Sequence, residues 1–166
     1  MRESLMSVSA NRMWRQLPEE IRISASKLFW ATPNGTGKQV LSASLAKAKN
    51  IREVTVRKAP IERLANWTAG TLSLPEQVVD ELLKNYLLHE HRAVIVSFLE
   101  LLKIPHADGM IDEAFDLATL SDEQVQKAAR SLLRSTDRMG AVLYLKYLVL
   151  QGGPWAPVEE VLAREE

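Results

Sequence analysis

Glu76–Ile104, EQVVDELLKNYLLHEHRAVIVSFLELLKI, runs without a glycine or a proline. Its apolar residues recur at helical spacing: Val78, Val79, Leu82, Leu83, Tyr86 and Leu87 in the first half, then Val94, Ile95, Phe98, Leu99 and Leu102 in the second. One helix over the whole stretch would be about 43 Å long at about 1.5 Å per residue. A compact domain of this size has a radius of gyration of about 15 Å, so such a rod would cross the entire molecule. The stripe also slips. Carrying the phase of Val79, Leu82 and Tyr86 forward at about 3.6 residues per turn lands on His89 or Glu90, then Ala93, then Ser97, whereas the second stripe is centred on Ile95, Phe98 and Leu102. The stretch therefore predicts two helices with a turn near His89-Glu90-His91.

Around this pair the chain repeats one way of starting a helix. Pro18-Glu19-Glu20, Pro60-Ile61-Glu62, Pro75-Glu76 and Pro157-Val158-Glu159 each put proline at a first helical position with acid just behind it. Proline there forfeits no needed N–H and presets φ, and carboxylates favour the positive end of the helix dipole. Ser73 with Glu76, and Ser121 with Gln124, have the spacing of reciprocal capping boxes. Further helical stripes run through Ile21, Ala25, Leu28 and Phe29; Val40, Leu41, Leu45 and Ala48; Ile61, Leu64, Ala65 and Thr68; and Val125, Ala128, Ala129, Leu132 and Leu133. Residues 139–150 are apolar almost all round, the pattern of a central buried helix. Gly152-Gly153-Pro154 ends it ahead of a short tail helix from Pro157 to Arg164. Asn50–Ala59 alternates weakly and has no strand to pair with, so an extended connector is expected there in preference to a strand. The helix starts are unevenly spaced, which argues against a solenoid. The expected fold is all-α: an irregular multi-helix fold of about eight or nine helices, in a single domain over residues 1–166.

The net charge is zero only by cancellation. Residues 1–72 carry 12 Lys+Arg against 5 Asp+Glu, and residues 73–166 carry 9 against 16. The sign changes between Arg63 and Glu76, beside the expected helix start at Ser73. This points to a subdivision into a basic N-terminal helical layer, 1–72, on an acidic C-terminal helical core, 73–166. There is no cysteine, which excludes disulfides, thiolate metal sites and a cysteine nucleophile, and favours a reducing compartment. Met1–Ala10 lacks the apolar core of a signal peptide. The longest apolar run, Ala141–Leu150, is interrupted by Lys146 and falls short of the roughly 20 residues that span a bilayer. A cytoplasmic protein with no membrane partner is expected.

Several stretches invite a chemical reading. His89, His91 and His106 lie close in sequence, near Glu90 and Asp108, as a metal or acid–base site would require. A helix over residues 92–103, however, separates His91 from His106 by about 18 Å along its axis. His89 and His91 also lack the four-residue spacing that puts two ligands on one helix face. Turn and loop histidines at helix ends are the simpler account. Aligning Gly109 with the glycine of a calcium loop puts Ile104, His106 and Phe115 where oxygen ligands belong, so that reading fails. Thr32-Pro33-Asn34-Gly35-Thr36-Gly37-Lys38-Gln39 has Thr and Gln where a phosphate loop needs Gly and Ser or Thr, and it follows a helical stripe instead of a strand. Lys38, near a helix N-terminus, is retained as a candidate for a weakly held anion. Trp14, Trp30, Trp67 and Trp155 fall near helix ends, where tryptophan pins junctions; a groove lined by Trp30 and Trp67 is the alternative. The basic residues of the first half are scattered, with no helix-turn-helix pattern.

These features converge on no catalytic set, no cofactor and no metal. The expected function is a non-catalytic helical protein-interaction module whose partner is another protein or a second copy of the chain. A nucleic-acid-binding protein acting through the basic half is the alternative. A small-molecule enzyme using His89, His91 or His106 with a neighbouring carboxylate is the third reading. The candidate binding residues are Trp30, Lys38, Trp67, His89, His91, His106 and Asp108.

Overall fold

The computed structural model describes residues 9–32, 35–71 and 73–165. The leader expectation at the N-terminus and the Pro33-Asn34 turn of the phosphate-loop look-alike fall largely outside them. The fold is all-α. Among the described residues there are ten α-helices: α1 (Ala10–Gln16), α2 (Glu19–Ala31), α3 (Gly35–Lys49), α4 (Glu53–Lys58), α5 (Ile61–Gly70), α6 (Glu76–Glu90), α7 (Arg92–Leu101), α8 (Asp122–Leu132), α9 (Arg138–Gln151) and α10 (Val158–Glu165). A two-stranded hairpin, β1 (His106–Ala107) and β2 (Met110–Ile111), follows α7. None of these helices is long and apolar enough to cross a membrane. The helix count exceeds eight or nine because α1 and α4 form where the sequence has no long stripe.

The break in the opening stretch falls where the phase slip puts it. Helix α6 ends at Glu90, His91 adopts φ −130° and ψ 32°, and α7 starts at Arg92. The helix starts differ by one residue from expectation. Pro18 and Pro60 are N-caps, with ψ of 146° and 153°, and their carbonyls accept from Arg22 and Leu64. Pro75 likewise accepts from Val79, which leaves Ser73 too early to cap α6. The Ser73–Glu76 box is therefore not made. The Glu76 carboxylate instead takes the Ala10 N–H (3.2 Å), the Asn11 N–H (3.0 Å) and the Asn11 side-chain amide, so it serves the first turn of α1. The Ser121–Gln124 box is complete in both directions.

Residues 53–58 are helical, which corrects the expected connector. Glu53 in the first turn and Arg57 and Lys58 in the last oppose the helix dipole in the favourable sense. The helix also parts the two valines that alternation would place on one side: Val56 is fully buried, whereas Val54 is 43% exposed. Helix α9 is likewise corrected. It buries one face, Gly140, Ala141, Tyr144, Leu145 and Leu148, while Met139 is exposed and Val142, Leu143 and Val149 are half-buried.

The chain divides into two compact units, one up to Tyr86 and one from Leu87 onward. In the first, α2 and α5 lie along each other, and α3 packs beside α4. Its core includes Trp14, Phe29, Leu41, Leu45, Val56 and Val78, each fully buried. In the second, α7, α8, α9 and α10 surround Phe98, whose ring lies 5.6 Å from Tyr144 and 5.8 Å from Trp155. Truncating such a ring to alanine costs about 3–5 kcal/mol, so this aromatic cluster is a main source of the unit's stability.

Candidate functional site

In the first unit, four helices leave an open cleft of about 290 Å³. Trp30 comes from α2, Lys38, Gln39 and Ser42 from the start of α3, Arg57 from the end of α4, and Ile61 and Leu64 from α5. Each arrives there for a local reason. Helix α3 begins at Gly35, so Lys38 falls within its first turn. Helix α4 is short and ends at Lys58, so its basic C-terminal turn lies just ahead of the start of α5. Trp30 is nearly buried, and its indole N–H donates to Thr68 Oγ1 at 2.9 Å. The Thr68 hydroxyl in turn donates to the Leu64 carbonyl at 2.7 Å, which locks the indole across the α2–α5 contact. Trp30 is thus a fixed apolar wall, with Ile61, 43% exposed, on the α5 side. Among the described residues, neither Lys38 nor Arg57 is in an ion pair with a carboxylate. The cleft therefore combines a rigid apolar floor with two cations that no described carboxylate pairs. Trp67 is half-buried on α5 and does not line it.

The histidines and Asp108 lie in the second unit and form no common site. His89 is exposed beside Glu90, at 3.9 Å. His91 is buried at the α6–α7 break, where its Nδ1–H donates to Asp137 Oδ2 at 2.6 Å. Asp137 is the N-cap of α9, and its other oxygen accepts the Gly140 N–H at 2.9 Å. Burial raises the Asp137 pKa, but the Gly140 N–H and the His91 ring lower it by more, leaving the carboxyl below its ordinary value. His106 accepts the Gly109 N–H on Nδ1 (3.1 Å), which leaves its proton on Nε2, 3.7 Å from Glu100. Asp108 is at the hairpin turn with φ 55°; its carbonyl accepts from Arg92 at 2.7 Å, and its carboxylate lies 3.6 Å from the same guanidinium. These contacts fix turns and caps. Among the described residues no three His, Asp or Glu side chains are placed to share a metal ion.

Sequence reasoning nominated Trp30 and Lys38 separately and missed that Arg57 and Ile61 complete their surroundings. It also missed Asp137. An Asp immediately before a helix start is an ordinary N-cap signal, so its capping role is readable in advance, whereas its contact with His91 is not.

The fold and the cleft define an all-α chain with a cationic, apolar-floored surface hollow. No family model, curated protein or solved structure matches the chain.

Proposed function

We propose that this chain is a non-catalytic helical protein-interaction module that receives an acidic protein partner in the cleft of its N-terminal unit. The observation that carries the reading is the placement of Lys38 and Arg57 beside Trp30, Ile61 and Leu64. The hollow is open and about 290 Å³ in volume, room for one or two anchoring side chains of a partner. Arginine and tryptophan are also the residue types that most often dominate binding energy at protein interfaces. An apolar anchor flanked by carboxylates on the partner would satisfy both halves of the cleft.

Affinity capture from source lysate, comparing the natural chain with the Lys38→Glu/Arg57→Glu variant, tests this. A defined protein held by the natural chain and lost from the variant is the expected result. Capture of the same proteins by both chains would overturn the reading.

Nucleic acid is the second reading, favoured by the exposed cations Lys47, Lys49, Arg52, Arg57 and Lys58 around the α3–α4 corner. Nuclease treatment of the captured material and a salt series separate the two. Phosphate contacts give affinity that falls linearly in log–log form with salt.

A further inference from the structure

The second unit carries a different surface, independent of the cleft. Two shallow hollows of about 320 and 360 Å³ lie along the contact of α7 with α8. Leu101 and Ser131 border both of them. Leu101 is 48% exposed and stands between the hollows as an apolar knob. The charges are sorted about it: Lys103 and Lys127 line one hollow, and Glu100 lines the other. Among the described residues neither lysine is in an ion pair, and the Glu100 carboxylate, 68% exposed, has the His106 Nε2–H at 3.7 Å.

Lys103 adds a second observation. It follows α7 in the left-handed region, with φ 58°, at the position where the Ile104 N–H bonds back to the Leu99 carbonyl. Glycine is the usual residue there because a Cβ is penalised. Helix α3 meets the same requirement with Asn50, φ 55°, a residue that tolerates it well. A lysine accepts backbone strain and places a cation at the rim of the hollow.

We propose that this groove is a two-fold contact between two copies of the chain. In a two-fold interface each residue pair occurs twice, in exchanged order. An axis passing beside Leu101 and Ser131 brings the Leu101 knob of each copy to the hollow of the other. It also sets Glu100 of each against Lys127 and Lys103 of its mate. The two hollows carry opposite charges, so the surface is complementary to itself in charge, which points to a second copy as the occupant.

Sedimentation equilibrium of the full chain between roughly 10 µM and 1 mM tests this, a range in which an association weaker than micromolar is visible. The natural chain is expected to dimerise with concentration. Leu101→Asp, Glu100→Lys and Lys127→Glu are each expected to weaken the dimer at least about tenfold, because each charge reversal creates two like-charged pairs. Mixing Glu100→Lys with Lys127→Glu then restores both attractive pairs, so the two variants associate with each other while each alone does not. Lys103→Gly is expected to raise the melting temperature while weakening the dimer, a divergence that a purely structural lysine would not produce. A natural chain that stays monomeric throughout, a dimer indifferent to Leu101→Asp, or a failure of the mixed variants to associate would each overturn the proposal.

Discussion

His91 Nδ1 lies 2.6 Å from Asp137 Oδ2, joining the α6–α7 break to the N-cap of α9. One carboxylate thereby holds two structural features. Asp137→Ala removes a cap, which costs about 0.5–2 kcal/mol, and leaves a buried donor without its acceptor, which costs about 1–3 kcal/mol. Urea unfolding should show a loss of about 2–3 kcal/mol, and the melting temperature should fall by about 4–10 °C. Asp137→Asn keeps an acceptor for the Gly140 N–H and should lose about half as much. A loss under about 0.5 kcal/mol for Asp137→Ala, the range of ordinary surface changes, would contradict this account.

The same carboxyl makes stability depend on acid. Its pKa in the folded chain is lowered, because the Gly140 N–H and His91 outweigh the opposing effect of burial. A depressed carboxyl contributes stability above its unfolded value, about 3.9, and loses that contribution as pH falls through the folded value. The stability gap between the natural chain and Asp137→Asn should therefore be full above about pH 5, shrink below about pH 4, and close once the folded carboxyl is protonated. Urea titrations from pH 7 down to pH 3 measure it. A gap that widens on acidification would reverse the sign and refute the assignment.

The sequence and the structure agree where information is local. The break at His91 follows from a phase slip within one stretch of chain, and the Ser121–Gln124 box closes because both partners lie within one helical turn. Ser73–Glu76 has identical spacing and fails: Pro75 starts α6, which leaves Ser73 too early, and the Glu76 carboxylate goes to Ala10 and Asn11, far away in sequence. Pro75 is legible locally, whereas the remote partners of Glu76 are not. The cleft was half-legible for the same reason. Trp30 and Lys38 carry their own signals, but Arg57 joins them only once residues 53–58 are helical and α4 turns into α5. Alternating valines concealed that, since a six-residue helix is too short for its period to show.

Trp30 and Thr68 provide a test of the cleft's rigidity. Thr68 is fully buried, accepts the indole N–H and donates to Leu64. Thr68→Val preserves shape but strands the indole donor, at an expected cost of about 1–3 kcal/mol. Thr68→Ser keeps both hydrogen bonds and loses only a methyl group, so it should cost less, about 1 kcal/mol. Thermal unfolding of the two variants gives the order directly. Equal losses would mean that packing of the methyl group, and not the indole hydrogen bond, holds this wall.

Glycine substitutions should have opposite signs in the two units. Gly70 ends α5 in open space, with no atom near the place an added methyl would take and no positive φ. Glycine in a helix is worse than alanine by about 0.5–1 kcal/mol, so Gly70→Ala should be neutral or stabilising by up to that amount. Gly140 also lies in a helix, in the first turn of α9, and propensity alone predicts the same gain. There, however, a Cβ would fall well inside contact distance of both His91 Nδ1 and the Asp137 carboxylate. Those two groups are hydrogen-bonded to each other, and the His91 ring is buried, so neither can withdraw without breaking the pair. Overpacking of this kind costs about 1–3 kcal/mol, which exceeds the propensity gain. Gly140→Ala should therefore destabilise the chain by about 1–2 kcal/mol after that gain is subtracted. In an Asp137→Ala background the obstructing carboxylate is gone, so the additional cost of Gly140→Ala should fall below its cost alone. A double-mutant cycle measures that coupling. Strict additivity would show that the tightness at Gly140 does not arise from the His91–Asp137 pair.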